Sequence, residues 1–239
     1  MYQPTVLDIK EFETDKLDFS KKLVDTLKSE GVAAIRCLDY GVINRLFEKA
    51  VKVFDYASSR YDIDHHWKYF SHEINCGTRK WIALQPVDGE WPTDKDVPGF
   101  RPIAAEVYKT LGEVSAKLIK TMGDELGRSM ERLPYTGNDQ FLTVLEYPQI
   151  EAPKGHEIFK DHLDPATTLH TIATDNGLEI LVNNKHMPVD LNQDCVLLVP
   201  GLRLEAVTDS EIKAVLHRVV IPEDGRTNTR YSSFFTFMN

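Results

Sequence analysis

The sequence predicts a mainly β protein with a helical N-terminal layer. From Phe141 onward the apolar pattern breaks into short runs separated by turn signals at Pro148, Pro165, Asn176-Gly177, Asn183-Asn184, Pro200-Gly201 and Asp224-Gly225. Six to eight strands in roughly a hundred residues fit a sandwich or a jelly roll. Before Phe141 the dominant signal is helical, with apolar residues recurring every three or four positions in three stretches. With no internal repeat, low-complexity tract or clear linker, 1–239 reads as one domain. Its first part, 1–140, supplies a layer of helices, strands and a pocket-covering loop; 141–239 supplies the β core.

Taken in order, Thr5 to Ile9 alternates and reads as a strand. Asp15 to Glu30 reads as a helix with Leu17, Leu23 and Leu27 on one side and Gly31 as its stop. Gly31 to Cys37 is a second strand, and Val42 to Ser58 a second helix with Leu46, Ala50, Val53 and Phe54 as its stripe. Tyr61 to Arg101 is the least regular stretch, with three prolines, three glycines and all three tryptophans. A loop of that length in a compact domain is usually functional or disordered. Pro102 to Arg132 reads as the longest helix, ended by Leu133-Pro134, its stripe running from Ile103 through Val107, Leu111, Leu118 and Leu126 to Met130.

Composition limits the function classes. A net charge of −9 argues against bulk nucleic-acid binding. No apolar run is long enough to span a membrane, and no secretory leader is visible after Met1. Three widely spaced cysteines (Cys37, Cys76, Cys195) read as reduced thiols, so the expected setting is the cytoplasm.

The chemistry concentrates between Phe159 and Phe237. The run Ile158 to Asp164 precedes Pro165 and suits a strand ending in a loop. Alternation then places His162 and Asp164 on one face, able to grip one ion. His217 sits in a second β-rich run, Ala214 to Ile221. Two imidazoles and one carboxylate form the donor set of non-haem Fe(II) sites, with coordination positions left open. Arg230 and Ser232 share a face of the last strand, with Tyr231 opposite; a guanidinium forks onto a carboxylate and a hydroxyl adds a further bond. Upstream, His65, His66, His72 and Cys76 fit no defensible zinc spacing.

His162-Leu163-Asp164, then His217 after 55 residues, then Arg230-Tyr231-Ser232 resembles the signature of the isopenicillin N synthase-like group of iron- and 2-oxoglutarate-dependent oxygenases. Leu145-Glu146-Tyr147-Pro148, Gly177-Leu178-Glu179-Ile180, Pro188-Val189, Leu204-Glu205-Ala206-Val207-Thr208 and His217-Arg218-Val219-Val220 extend the likeness. Ala166 stands where the group often has Gly, and Val199-Pro200-Gly201-Leu202 replaces a common Asn-x-Gly-Asp. The chain ends just after its last strand, where longer members carry a C-terminal helix.

The resemblance implies a double-stranded β-helix (jelly-roll) core. It implies Fe(II) held by His162, Asp164 and His217, and 2-oxoglutarate held by Arg230 and Ser232 with help from Tyr147. It also places the Asn75–Trp81 segment over the pocket, where Arg79 would hold a substrate carboxylate and Trp81 would line the wall. The expected reaction is oxidation of a small molecule with O₂ by hydroxylation, desaturation or ring closure, releasing succinate and CO₂. The alternative within the group is an oxidase like isopenicillin N synthase, whose Arg-x-Ser grips substrate and which uses no 2-oxoglutarate. A zinc hydrolase leaves Arg230 and Ser232 unexplained, and a non-catalytic binder leaves three retained ligands unexplained.

Overall fold

The structure is a computed structural model that describes residues 1–58, 68–74, 77–85, 91–130, 140–149, 152–222 and 228–237. Its elements run β1 (Val6–Asp8), α1 (Glu11–Thr14), α2 (Lys16–Glu30), β2 (Ala33–Arg36), α3 (Tyr40–Ser58), β3 (Lys68–Ile74), β4 (Gly77–Leu84) and α4 (Phe100–Glu125). The second part follows as β5 (Phe141–Tyr147), β6 (Glu157–His162), β7 (Thr167–His170), β8 (Leu178–Val182), β9 (Lys185–Pro188), β10 (Cys195–Val199), α5 (Leu202–Val207), β11 (His217–Val220) and β12 (Arg230–Phe237).

Two sheets carry the fold. One has eight strands in the order β1-β2-β10-β7-β12-β5-β4-β3; the other has four in the order β6-β11-β8-β9. Strands β5 to β12 therefore divide into two sets of four, which is the jelly roll expected of the C-terminal part. The other four strands of the large sheet come from the N-terminal part, so the two parts share one sheet.

Alternation on the large sheet separates a helix-facing side from a cavity-facing side. Ile82, Leu84, Leu142, Val144, Phe235 and Phe237 bury against Phe19, Leu23, Leu46, Phe54, Leu111 and Leu118 of α2, α3 and α4. Their neighbours Leu145 and Tyr147 instead pack with Ile158, Val219 and Ile221 of the small sheet's side. The sites described below lie between the two sheets.

Four expectations change. The irregular stretch contains an antiparallel hairpin, β3 with β4, that extends the large sheet beside β5. Its alternation is masked by charge because β3 is an edge strand. The long helix stops at Glu125, not Arg132. Gly127 takes a positive φ of 62°, and the amides of Arg128 and Gly127 bond back to the Gly123 and Asp124 carbonyls. That closing pattern needs a left-handed residue, which glycine adopts without strain. Met130 still reaches the core from beyond the helix end, so the apolar spacing runs on where the helix does not. Leu17 is 80% exposed, and the buried side of α2 is Phe19, Leu23, Val24 and Leu27. Finally, Leu202–Val207 is a short helix among the strands.

Candidate metal and anion site

The two candidate histidine ligands are cross-strand neighbours. β11 runs antiparallel to β6, with His217 directly opposite His162, and their rings lie 4.2 Å apart. Each ring is oriented by its own backbone. His162 Nδ1 is 2.9 Å from the Lys160 carbonyl, and His217 Nδ1 is 3.0 Å from the Val215 carbonyl. A carbonyl only accepts, so each Nδ1 carries the proton and each Nε2 presents a lone pair.

Asp164 lies just past the end of β6 and turns back toward both rings. Its Oδ1 is 3.6 Å from His162 Nε2, and its Oδ2 is 3.7 Å from His217 Nε2. Among the described residues these three are the histidine and carboxylate donors that converge, all within 4.8 Å of one another. Two neutral imidazoles and a carboxylate at that spacing fit a divalent first-row ion with positions to spare. Burial, then the proximity of His162, lowers the His217 pKa below its ordinary value, while Asp164 pulls the other way. The net effect keeps the ring neutral, the form that binds metal.

The Asp164 loop is pinned from behind. The Leu202 amide donates to the Asp164 carbonyl at 2.9 Å, and the Arg203 amide to the Pro165 carbonyl at 3.0 Å. Gly201 makes this approach possible, because a Cβ there would run into the Ala166 carbonyl and fall 2.8 Å from the Asp164 carbonyl oxygen. The Pro200-Gly201 turn thus has a second role, as the seat of the loop that carries the candidate ligand Asp164.

A cavity of about 460 Å³ opens between the sheets and is lined by all three triad residues and by Arg79, Trp81, Tyr147, Arg230 and Ser232. Strand register arranges the latter five in rows. Arg230 pairs with Tyr147 and Ser232 with Leu145; Trp81 also pairs with Leu145, which sets Arg79 beside Tyr147. One row is therefore Arg79, Tyr147, Arg230, and the next is Trp81, Leu145, Ser232. Arg230 is 4% exposed, its Nε donates to the Asp175 carbonyl at 3.0 Å, and its guanidinium carbon lies 5.3 Å from the centre of the Tyr147 ring. Tyr231 faces the other way, stacked on Phe54 and bonded to Glu146.

Arg79 spans the cavity between the sheets. Its guanidinium carbon is 4.7 Å from the Trp81 ring centre and 4.1 Å from that of Phe159 on β6. Its Nε is buried and has no hydrogen-bond partner among the described residues. Of the other upstream candidates, His65, His66 and Cys76 lie outside the described residues. His72 lies on β3, opposite Arg79 in the strand register.

Sequence reasoning missed His170 and Thr168, which also belong to this end of the barrel. Both follow Asp164 at even spacing along β7, and that parity was the available signal.

Comparison with known proteins points the same way. Residues 138–239 match the 2OG-Fe(II) oxygenase superfamily. A 2-oxoglutarate-Fe(II) type oxidoreductase from Metarhizium majus (strain ARSEF 297) is 28% identical over 204 residues, 77% of this chain and 58% of that protein. Isopenicillin N synthase from Amycolatopsis lactamdurans is 25% identical over 186 residues, 72% of this chain and 53% of that protein. The chain spans about half the length of the curated relatives it matches. Among solved structures, a full-length Neurospora crassa protein in complex with alpha-KG superposes with a TM-score of 0.80 at 17% identity, covering 97% of this chain and 83% of that one. A 2OG-Fe(II) oxygenase family protein from Caulobacter crescentus gives 0.80 at 21%, covering 98% and 86%. At these identities the superpositions establish the shared jelly-roll fold.

Proposed function

Residues 138–239 belong to the 2OG-Fe(II) oxygenase superfamily, and from that premise we propose that the chain is a non-haem Fe(II)- and 2-oxoglutarate-dependent oxygenase acting on a small molecule. The observation that carries this reading is the shared cavity. Three convergent metal donors and a buried arginine line the same space between the two sheets. His162, Asp164 and His217 would hold Fe(II). Arg230 and Ser232 would hold the far carboxylate of 2-oxoglutarate, with Tyr147 beside it. When bound, Fe(II) with 2-oxoglutarate and O₂ supplies an oxidant able to break an unactivated C–H bond, the keto acid leaving as succinate and CO₂.

The chain's own residues supply orientation and dryness. The backbone carbonyls of Lys160 and Val215 hold both ligand tautomers. The Asp175 carbonyl holds the Arg230 Nε, which aims a planar cation into a pocket where a carboxylate pairs with little competition from water. Phe159, Phe234, Leu145 and Val219 line the remaining wall and exclude solvent.

Arg79 and Trp81 would contact the substrate. A cation sandwiched between two aromatic rings, with a buried N–H seeking an acceptor, favours an acidic group on that molecule. The reaction type, whether hydroxylation, desaturation or ring closure, belongs to the substrate pose. Fe(II) chemistry suits a reducing compartment, and the cytoplasm is the proposed setting.

The test is spectroscopic. Anaerobic addition of 2-oxoglutarate to the Fe(II) protein should give the weak visible charge-transfer band of a keto-acid chelate, and aerobic incubation should release succinate. Neither signal at any 2-oxoglutarate concentration would move the assignment to an oxidase in which Arg230 grips substrate.

A further inference from the structure

The cavity contains a third imidazole that neither the triad nor the arginine row uses. His170 ends β7, between Leu197 of β10 and Phe234 of β12. Its ring leans on Phe234 at 5.4 Å and meets His217 edge-on at 5.7 Å. Its Nε2 lies 3.0 Å from the Thr168 hydroxyl, and that hydroxyl lies 3.3 Å from Asp164 Oδ2. Thr168 is 1% exposed, so its hydroxyl is sheltered from bulk water.

The direction of this chain follows from donor arithmetic. An ionised carboxylate only accepts, so the single hydroxyl proton goes to Asp164. The hydroxyl oxygen must then accept from His170, which requires the proton on Nε2. His162 and His217 carry theirs on Nδ1, so one cavity demands two opposite tautomers. Burial first, and then the nearby Arg230 guanidinium, hold the His170 pKa well below its usual value, so the ring carries a single proton, as the chain of bonds requires.

Resting on the Fe(II) reading above, we propose that Thr168 and His170 are positioning residues that brace the Asp164 carboxylate. Thr168 occupies Oδ2, leaving Oδ1 to the ion, so that Asp164 binds through one oxygen and coordination positions stay open for cosubstrate. His170 fixes the rotation of the Thr168 hydroxyl, which a lone hydroxyl would not hold.

Two experiments on the full chain test this. The first is long-range nitrogen–proton NMR of the metal-free protein with labelled histidine. It should show a fixed Nε2 proton on His170 that loses its protection in Thr168→Val and keeps it in Thr168→Ser. A His170 proton on Nδ1, or one indifferent to Thr168→Val, overturns the brace. The second is Co(II) titration, with the ligand-field spectrum as a second readout. Thr168→Val and His170→Leu should weaken binding about 10- to 100-fold and alter the spectrum, as loss of an outer partner typically does, while Thr168→Ser should match the unaltered chain. Equal affinity in all four proteins, or equal loss in Thr168→Val and Thr168→Ser, overturns it. If His170→Leu does not fold, the near-isosteric Thr168→Val and the spectrum of the unaltered chain still decide. If the unaltered chain binds no Co(II) or Fe(II), the oxygenase reading fails, and the tautomer measurement alone judges the hydrogen-bonded chain.

Discussion

The two sheets treat charge in opposite ways. The small sheet gathers its functional groups within a few ångströms: His162 and His217 are register partners, and Asp164 follows the end of β6. The large sheet spreads its groups along rows across three strands, with Arg79 on β4, Tyr147 on β5 and Arg230 on β12. The small sheet thus offers a point charge site with a defined donor set, and the large sheet offers separated cations to anions of some length. Coordination tolerates little displacement, so its donors are tied to their own backbone. Ion pairing tolerates more, so its cations rest on aromatic rings, with the Asp175 carbonyl holding the Arg230 Nε.

The largest effect should come from breaking the compact side. His217→Ala removes one of three donors from a preformed site, and Fe(II) or Co(II) affinity should fall about a thousandfold or more. Circular dichroism should show little loss of fold, because His217 lies outside the main apolar cluster. A variant that still binds stoichiometric metal with full turnover would remove His217 from the ligand set.

The spread side should fail piecemeal. Arg230→Met should leave metal binding alone and weaken 2-oxoglutarate by on the order of 30- to 1,000-fold, or 2–4 kcal/mol for a charge-assisted pair in a dry pocket. Arg230→Lys should recover only part, since an ammonium cannot fork. Arg79→Gln should do the converse. The 2-oxoglutarate titration should stay unchanged while the KM of an acidic substrate rises, with its neutral ester indifferent to the change. If Arg79→Gln shifts the 2-oxoglutarate titration as strongly as Arg230→Met, the two cations serve one ligand and the row has no division.

The two sides were not equally legible in the sequence. The triad could be read because strand alternation carries His162 to Asp164, and motif order supplies His217. Their facing register could not be read, because β6 and β11 are far apart in the chain and only the assembled four-stranded sheet sets the pairing. Arg230 and Ser232 were legible by the same alternation, with Tyr231 on the opposite face. The hairpin of β3 and β4 was hidden, since an edge strand such as Lys68–Ile74 carries charge where a central strand would carry valine. Arg79 and Trp81 were therefore placed near the pocket by resemblance alone, and the structure adds their strand and register. The end of α4 at Gly127 was hidden by Met130, an apolar residue that continues the stripe without continuing the helix.

A smaller effect sharpens the boundary between the sides. Gly201→Ala would drive a methyl group into the Ala166 carbonyl and to 2.8 Å from the Asp164 carbonyl oxygen. The contacts are backbone, so the loop itself must move. A destabilisation of about 1–3 kcal/mol is expected, with weaker Co(II) binding because Asp164 rides on that loop. Thermal unfolding with and without metal would measure both. Unchanged metal affinity would show that Asp164 is positioned from Thr168 and not from α5.

The smallest effect is a slope with pH, and it follows from two depressed imidazoles, His217 on the small sheet and His170 facing it from β7 of the large sheet. His170 and His217 have folded pKa values below the ordinary histidine value, so both stay neutral in the fold when the unfolded chain begins to protonate. Between the unfolded value near 6.5 and the lower folded value, the unfolded state binds more protons, and stability must fall as pH falls. Above about pH 7 neither group contributes a slope. Each imidazole can contribute up to about 1.4 kcal/mol per pH unit within its window. His170, more strongly depressed because burial and the Arg230 guanidinium act on it in the same direction, should hold its slope to lower pH than His217, which Asp164 partly offsets. Urea unfolding of the metal-free protein at pH 7.5, 6.5 and 5.5 would measure the sum, and His170→Leu should remove the part that persists furthest into acid. Saturating Co(II) should steepen the slope of the unaltered chain, because protons then compete with the metal for His217. A metal-free stability that stays level from pH 7.5 to 5.5 would mean that these rings take up protons in the fold as readily as in the unfolded chain, and the depressed imidazoles assigned to this end of the cavity would not stand.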